Sequence, residues 1–271
     1  MSAMDATNLT IETLKQMFAA GKRFDGRGLH EFRPFTLELG IAKTAEGSAR
    51  IRLGKTEVLA GVKLAPGTPY PDSMDKGNLM VSGDLLPIAS PRIQAGPPGF
   101  TAIELPRLVD RAIRESKMID LKKLVIKEGE KVWTVMIDLY PINDDGNLID
   151  AACIAAIAAL KKAMVPELDE NNMIDYDKPA KKKLPISDET APISISFFKL
   201  GNAIILDPTR EEEEACEARV TFGISKWNGQ YMINSCQKNN VEHFTTPELD
   251  MMMDTLIPTF DKLNERLKSY L

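Results

Sequence analysis

The apolar positions first follow a helical rhythm. In "TIETLKQMFAAG", Ile11, Leu14, Met17 and Phe18 share one face and Gly21 supplies a stop, which predicts an N-terminal helix packed on the body. After "KRFDGRGLHEFRP" the rhythm changes to short alternating runs: "TLELG", then "SARIRLG" and "TEVLAGVKLA", the last two joined at Gly54-Lys55 in a hairpin of antiparallel sheet. From Ala65 to Phe100 the chain is rich in Pro and Gly, and only "NLMVSGDLL" reads as a strand, so long excursions surround it. A helix follows between Ile103 and Met118, then the strand pair "LKKLVIKEG" and "KVWTVMIDLYPI", then a nearly all-apolar helix in "DGNLIDAACIAAIAAL". So much alanine in that helix implies that another backbone packs close to it.

"PELDENNMIDYDKPAKKKLP" breaks the pattern with charge and proline, and reads as a linker. Its Lys181, Lys182 and Lys183 fit a solvated linker better than a nucleic-acid contact. Beyond it, "PISISFFKL", "AIILD", "ARVTFGIS" and "QYMINSC" form four strands. A long helix from about Pro247 closes the chain, with Pro258 expected to kink it. The organisation is α+β. Residues 1–30 form the N-terminal helix and lead-in, residues 31–165 a first domain, residues 166–190 a linker and residues 191–271 a second domain.

The composition, 44% hydrophobic and 27% charged over 271 residues, supplies apolar material for one large core or two modest ones. No apolar run approaches the roughly 20 residues needed to cross a bilayer, and no basic segment followed by a hydrophobic one opens the chain. The expectation is a cytoplasmic protein with no membrane partner. Cys153, Cys216 and Cys236 are odd in number and widely spaced, as expected of buried structural thiols. A net charge of -5 offers no global attraction to nucleic acid, so any such binding must be local or come through a partner.

Few residues carry catalytic patterns. His30 and His243 have no metal-ligand neighbour at i+4, and no nucleophile elbow or phosphate loop is present. Neither metal nor cofactor is expected. Arg107, Arg111 and Arg114, at i, i+4 and i+7, put three guanidinium groups along one helical stripe. They could track phosphates, or equally pair with Glu104, Asp110 and Glu115. The acidic run "DPTREEEEACEARV" reads as a solvated loop between strands, with magnesium binding or acid catalysis as the alternative. The start of the alanine-rich helix has the small-residue turn of an anion site, yet it carries Leu148, Ile149 and Asp150.

"RFDGRGLHEFRP", "LGKTEVLAGVK", "AIELPRLVDRAIRES", "DGNLIDAACIAAIAAL" and "LDPTREEEE" follow one another in the order found in RNase PH-like proteins, and the chain resembles that family over nearly its whole length. Within the family it is most similar to the non-catalytic RNase PH-like subunit of the archaeal exosome. The resemblance implies the RNase PH fold, two ribosomal-S5-domain-2-like α/β halves with sheets covered by helices. It implies a heterodimer with the catalytic RNase PH-like subunit, three such dimers closing a hexameric ring that degrades single-stranded RNA by 3′-5′ phosphorolysis under RNA-binding cap subunits.

Active members of the family carry an arginine pair ahead of Ser-Ile-Glu; here Phe100 and Thr101 precede Ala102-Ile103-Glu104. Where they read D-G-G-[ST]-R-[ST]-A-A, this chain reads Asp145-Gly146-Asn147-Leu148-Ile149-Asp150-Ala151-Ala152. An isoleucine for the anion-binding arginine removes a contact of about 1.5 to 3 kcal/mol, and Asp150 is expected to add repulsion. Glu213 and Arg219 match the two metal-binding and proton-donating aspartates, and an arginine cannot be a general acid near neutral pH. The expectation is a non-catalytic subunit. Family resemblance makes Arg107, Arg111 and Arg114 its RNA contacts; Pro106 is expected to shift the helix start, which favours Arg111 and Arg114. The alternatives are an active exoribonuclease using Glu211 to Glu214, and a purely structural ring element.

Overall fold

Thr7 caps the first helix, α1 (Asn8–Ala19), by accepting a hydrogen bond from the Thr10 amide at 3.2 Å. The computed structural model describes residues 7–170, 172–175 and 177–271; residues 1–6 of the lead-in, and Asn171 and Tyr176 of the linker, lie outside the described residues. Leu14 and Phe18 of α1 are buried in a small cluster with Phe198, Leu200 and Ile205, so the lead-in helix covers strands from the far end of the chain.

The first sheet contains β1 (Phe35–Leu39), β2 (Gly47–Leu53), β3 (Thr56–Gly67), β4 (Asn78–Gly83), β5 (Val125–Lys127) and β6 (Lys131–Asn143), in the order β1-β2-β3-β6-β4 with β5 also on β6. The β2–β3 hairpin turns at Gly54-Lys55, with Gly54 at φ +59°. β4 departs from the antiparallel expectation. It runs parallel to β6, and parallel neighbours need a crossover connection. The helix α2 (Phe100–Ser116) lies within that crossover. "LKKLVIKEG" is a 3-10 turn over Leu121–Leu124 followed by the short β5, not a full strand.

α2 begins three residues earlier than the apolar pattern predicts and continues through Pro106, which is buried. The helix α3 (Leu148–Lys162) is buried at every position from Leu148 to Leu160. It packs on β2 and β3 on one side and on the second sheet on the other. The close approach expected of its alanines is present: a Cβ on Gly47 of β2 would lie 2.3 Å from the Ala159 carbonyl oxygen.

The segment expected to be a solvated linker is tied down. β7 (Met164–Val165) pairs with β8 (Lys182–Lys183), and Ile119 bridges to Ile186. The second sheet follows as β9 (Ile193–Leu200), β10 (Ala203–Leu206), β11 (Ala218–Trp227) and β12 (Gln230–Asn239), antiparallel in the order β10-β9-β11-β12. β9 is buried at all eight positions because helices cover both of its faces.

The acidic run is not a loop: α4 (Arg210–Ala215) occupies it, closed by a Thr209–Glu212 capping box. α5 (Thr246–Lys268) has the same device in Thr245 and Glu248, and remains one helix through Pro258. One continuous core joins both sheets through α2 and α3, deciding for one large core over two modest ones. Cys153 and Cys216 are buried as expected, whereas Cys236 on β12 is exposed.

Candidate functional site

The arginines of "RFDGRGLHEFRP" converge on "LDPT". Arg33, itself buried, grips Asp207 with two hydrogen bonds, Nε to Oδ2 at 2.9 Å and Nη2 to Oδ1 at 2.7 Å, and its backbone amide donates to Oδ2 at 2.7 Å. Its remaining donors reach the carbonyls of Asp145, Gly146 and Pro208 at 2.8 to 3.1 Å. Arg27 adds a bond to Asp207 Oδ2 at 3.1 Å, and Arg23 holds Glu212 together with the Leu206 and Asp207 carbonyls. Asp207 has no exposed surface and sits at φ +47°, a strained backbone that this many partners can hold. The motif is thus a clasp between the two sheets. The sequence marks it by resemblance alone, since its partners lie some 180 residues apart.

The clasp fixes the turn before α3. Gly146, at φ +86°, approaches so closely that a Cβ would lie 2.6 Å from the Pro208 carbonyl oxygen. Asn147 follows at φ +56°, and its side-chain amide donates to Asp207 Oδ1 at 2.9 Å. Its backbone N–H, at the positive end of α3, donates to Glu213 Oε2 at 2.9 Å. The anion at this helix start is therefore supplied from within the chain. Burial pushes the Glu213 carboxyl upward, and the Asn147 N–H opposes that shift by stabilising the charged form.

Leu148 and Ile149 turn into the core rather than toward the turn. Asp150 does not add the expected repulsion. It is fully buried against the second sheet, where it accepts bonds from the Ser196 amide at 3.1 Å and the Ser196 hydroxyl at 2.8 Å. Loss of hydration carries its carboxyl up to about 7, despite the bonds that favour its charge. Arg219 is also buried, paired with Glu104 at 2.6 Å, so the matching acid position holds one half of an ion pair joining β11 to α2.

A cleft of 480 Å³ opens between residues 84–99 and the starts of α2 and α4. Its arginines are occupied by carboxylates: Arg210 bonds Asp144 and Glu214 at 3.0 Å each, and Arg92 pairs with Glu214. Phe100, two-thirds exposed, and Thr101 stand at its edge, adding no charge. Among the described residues no group of three or more His, Cys, Asp or Glu side chains is placed to hold a metal ion.

The three predicted arginines stand on the exposed side of α2 but in different states. Arg114 is committed: it bonds Asp110 at 2.6 Å and the Leu79 carbonyl at 2.9 Å, and the Asp110 hydrogen bond raises its pKa above the usual value. Arg111 makes a 3.5 Å pair with Glu115 in which both groups are about half exposed. Arg107 makes no ion pair among the described residues. α2 starts ahead of Pro106, so Arg107 lies well inside the helix and Pro106 does not shift its start to that point. Phe100 and Ile103, both exposed, continue the same stripe, a signal that their 3-4 spacing with Arg107 carries in the sequence.

The profile of the 3′ exoribonuclease family, domain 1, matches residues 31–166, and that of domain 2 matches residues 190–255. The chain is 44% identical over 262 residues to the exosome complex component Rrp42 of Pyrobaculum aerophilum, covering 96% of this chain and 93% of that protein. It is 44% identical to the component of the same name in Methanosarcina acetivorans, covering 94% and 91%. Among solved structures, a chain of the Archaeoglobus fulgidus exosome with RNA bound to the active site superposes with a TM-score of 0.87 at 39% identity, covering 96% of this chain and 98% of that one. A chain of an archaeal exosome core gives 0.83 at 37% identity, covering 96% and 97%. Within the described residues no helix is long and apolar enough to cross a membrane. With both domain profiles matched in order and such relatives along nearly its full length, the chain belongs to the RNase PH-type 3′ exoribonuclease family.

Proposed function

We propose that the chain is the non-catalytic RNase PH-like subunit of a cytoplasmic archaeal exosome. It pairs with the catalytic RNase PH-like subunit, and three such pairs close a hexameric ring that carries RNA-binding cap subunits and degrades single-stranded RNA from its 3′ end by phosphorolysis. The observation that carries this reading is the start of α3, where the Glu213 carboxylate takes the N–H group that a phosphate would need. Ile149 faces the core and Arg219 is bound to Glu104, so no phosphate ligand or proton donor from these motifs faces the turn. The test is to incubate the purified chain with phosphate and a short RNA, alone and with its partner. Nucleoside diphosphates are expected only with the partner, and their release by the chain alone would refute the reading.

In this role α2 presents Arg107, Arg111 and Arg114 to RNA at the seam with the partner. Arg107 is the strongest contact because its charge is unspent. In the assembled complex Arg107→Ala should weaken single-stranded RNA binding without sequence dependence and lower the salt slope by about 0.7. Arg114→Ala should do less, since its guanidinium is already neutralised by Asp110. A purely structural subunit is the second reading, favoured by the Arg111 and Arg114 ion pairs. Unchanged affinity and salt slope in Arg107→Ala would establish it.

A further inference from the structure

A strongly cationic cleft of this acidic chain lies away from the α3 turn. It has a volume of 700 Å³ and is lined by Lys76, Arg114, Lys117, Lys122 and Lys123, against the carboxylates of Asp120 and Glu189. With Arg114 paired to Asp110 outside the lining, two positive charges remain in excess, in contrast with the chain's net charge of -5. Its floor is stitched by backbone bonds, Asp120 N–H to the Pro185 carbonyl and Ser187 N–H to the Met118 carbonyl, both 2.8 Å. The floor is thus tied by backbone bonds, whereas the exposed lysines carry strongly hydrated ammonium groups on flexible stems.

Of the two acidic groups, Asp120 offsets Lys123 through a 3.1 Å pair whose side chains are both exposed, and Glu189 accepts from the Gly229 amide at 3.0 Å, which anchors the β11–β12 turn at the rim. Lys122 reaches Asp75 only at 4.0 Å, with both groups more than half exposed. Lys76 and Lys117 make no ion pair among the described residues. At that rim Trp227 is 51% exposed, whereas the chain's other tryptophan, Trp133, is 6% exposed. A half-exposed indole leaves a large apolar face in water, which costs solubility.

A second cleft continues the first through the shared Lys123 and Pro185. Lys182 and Lys183, read from the sequence as a solvated linker, line it because β8 folds back on β7. The lysine run therefore joins Lys117, Lys122 and Lys123 in one basic track. A positively charged groove with an aromatic platform is the arrangement that holds unpaired nucleotides, since phosphates follow the cations and any base can stack on the ring.

We propose that this track binds single-stranded RNA, with Lys117, Lys122, Lys123 and the Lys182–Lys183 strand holding phosphates and Trp227 stacking on a base. It rests on the reading of the chain as a subunit of an RNA-degrading ring, and would give long substrates a second hold on the complex that continues from the Arg114 end of the α2 stripe.

The test uses the assembled complex with a 5′-labelled oligoadenylate of about 30 nucleotides and one of about 8, read by fluorescence anisotropy across a salt series. Replacing Lys117, Lys122 and Lys123 together by Gln, all exposed and so tolerated by the fold, should weaken binding of the long RNA at least tenfold. It should also reduce the salt slope by about two, at roughly 0.7 per lost phosphate contact. Trp227→Ala should weaken it about tenfold, and Trp227→Tyr should restore most of that loss by keeping a stacking face. Phosphorolysis of the short RNA should stay at the wild-type rate in every variant. Unchanged long-RNA affinity in the triple variant, with phosphorolysis intact, would overturn the track and leave the functional reading standing. A complex with no phosphorolysis even with the unaltered chain would overturn the functional reading instead.

Discussion

Asp150→Asn removes one charge from a site with no exposed surface while keeping the side-chain shape. In the native chain burial carries this carboxyl from 3.8 to about 7. A gap of about three pH units corresponds to about 4 kcal/mol, at 1.36 kcal/mol per unit. Below pH about 4 the group is protonated in both folded and unfolded chains. Between about 4 and 7 the unfolded chain loses the proton while the folded chain keeps it, so the native state is progressively destabilised as pH rises. Above 7 both forms are ionised and the dependence stops.

Asparagine has no such dependence, but its amide must face the Ser196 N–H with an acceptor on only one side. That mismatch costs about 1 to 3 kcal/mol at every pH. The variant should therefore be close to or below wild type at pH 5, and gain about 3 kcal/mol relative to it by pH 8, the two units from 5 to 7 accounting for the change. Urea unfolding of both proteins at pH 5 and pH 8, within the heterodimer if the chain does not fold alone, measures this directly. Other carboxylates titrate in both proteins, so the quantity is the difference between them at each pH. A difference that stays constant from pH 5 to pH 8 would refute the assignment of a buried Asp150 whose pKa is raised by loss of hydration.

Two further substitutions probe the clasp and the start of α3. Asp207→Ala should cost about 3 to 5 kcal/mol, read in the same urea experiment, because it strands Arg33 and Arg27 beside a buried gap. Leu148→Thr with Ile149→Arg, which rewrites the helix start to the active pattern, should yield no phosphorolysis by the chain alone and should lower thermal stability, since residue 149 is only 6% exposed and an arginine there is buried without a carboxylate.

Strand and helix positions were legible in the sequence wherever the apolar period ran for several residues, as in β2, β3, β9 and α3. The misses share a physical cause: each was decided by contacts distant in sequence. The parallel pairing of β4 depends on where α2 returns the chain, and the tying down of the linker depends on β7 and on Ile119. The α4 helix is too short to show a period, yet Thr209 and Glu212 formed a capping-box signature that could have located it. Exposure of Cys236 follows from its place on an edge strand, which composition does not encode.

The candidate site was legible as a set of missing residues, and the structure adds what replaced them. A helix start without a bound phosphate still presents N–H groups and a positive dipole end that favour an anion, because unpaired donors in a buried turn are costly. Glu213 supplies that anion, and α4, held by Arg23 through Glu212, presents it. Ile149 and Leu148 then join the core, and Asp150 is drawn to Ser196 on the opposite sheet. These changes stabilise one another, so reverting any one places a buried charge or an unsatisfied donor in the joint. The α3 turn is part of the clasp that joins the two sheets, so substitutions that open it to a phosphate should cost folding stability before they could create phosphate binding.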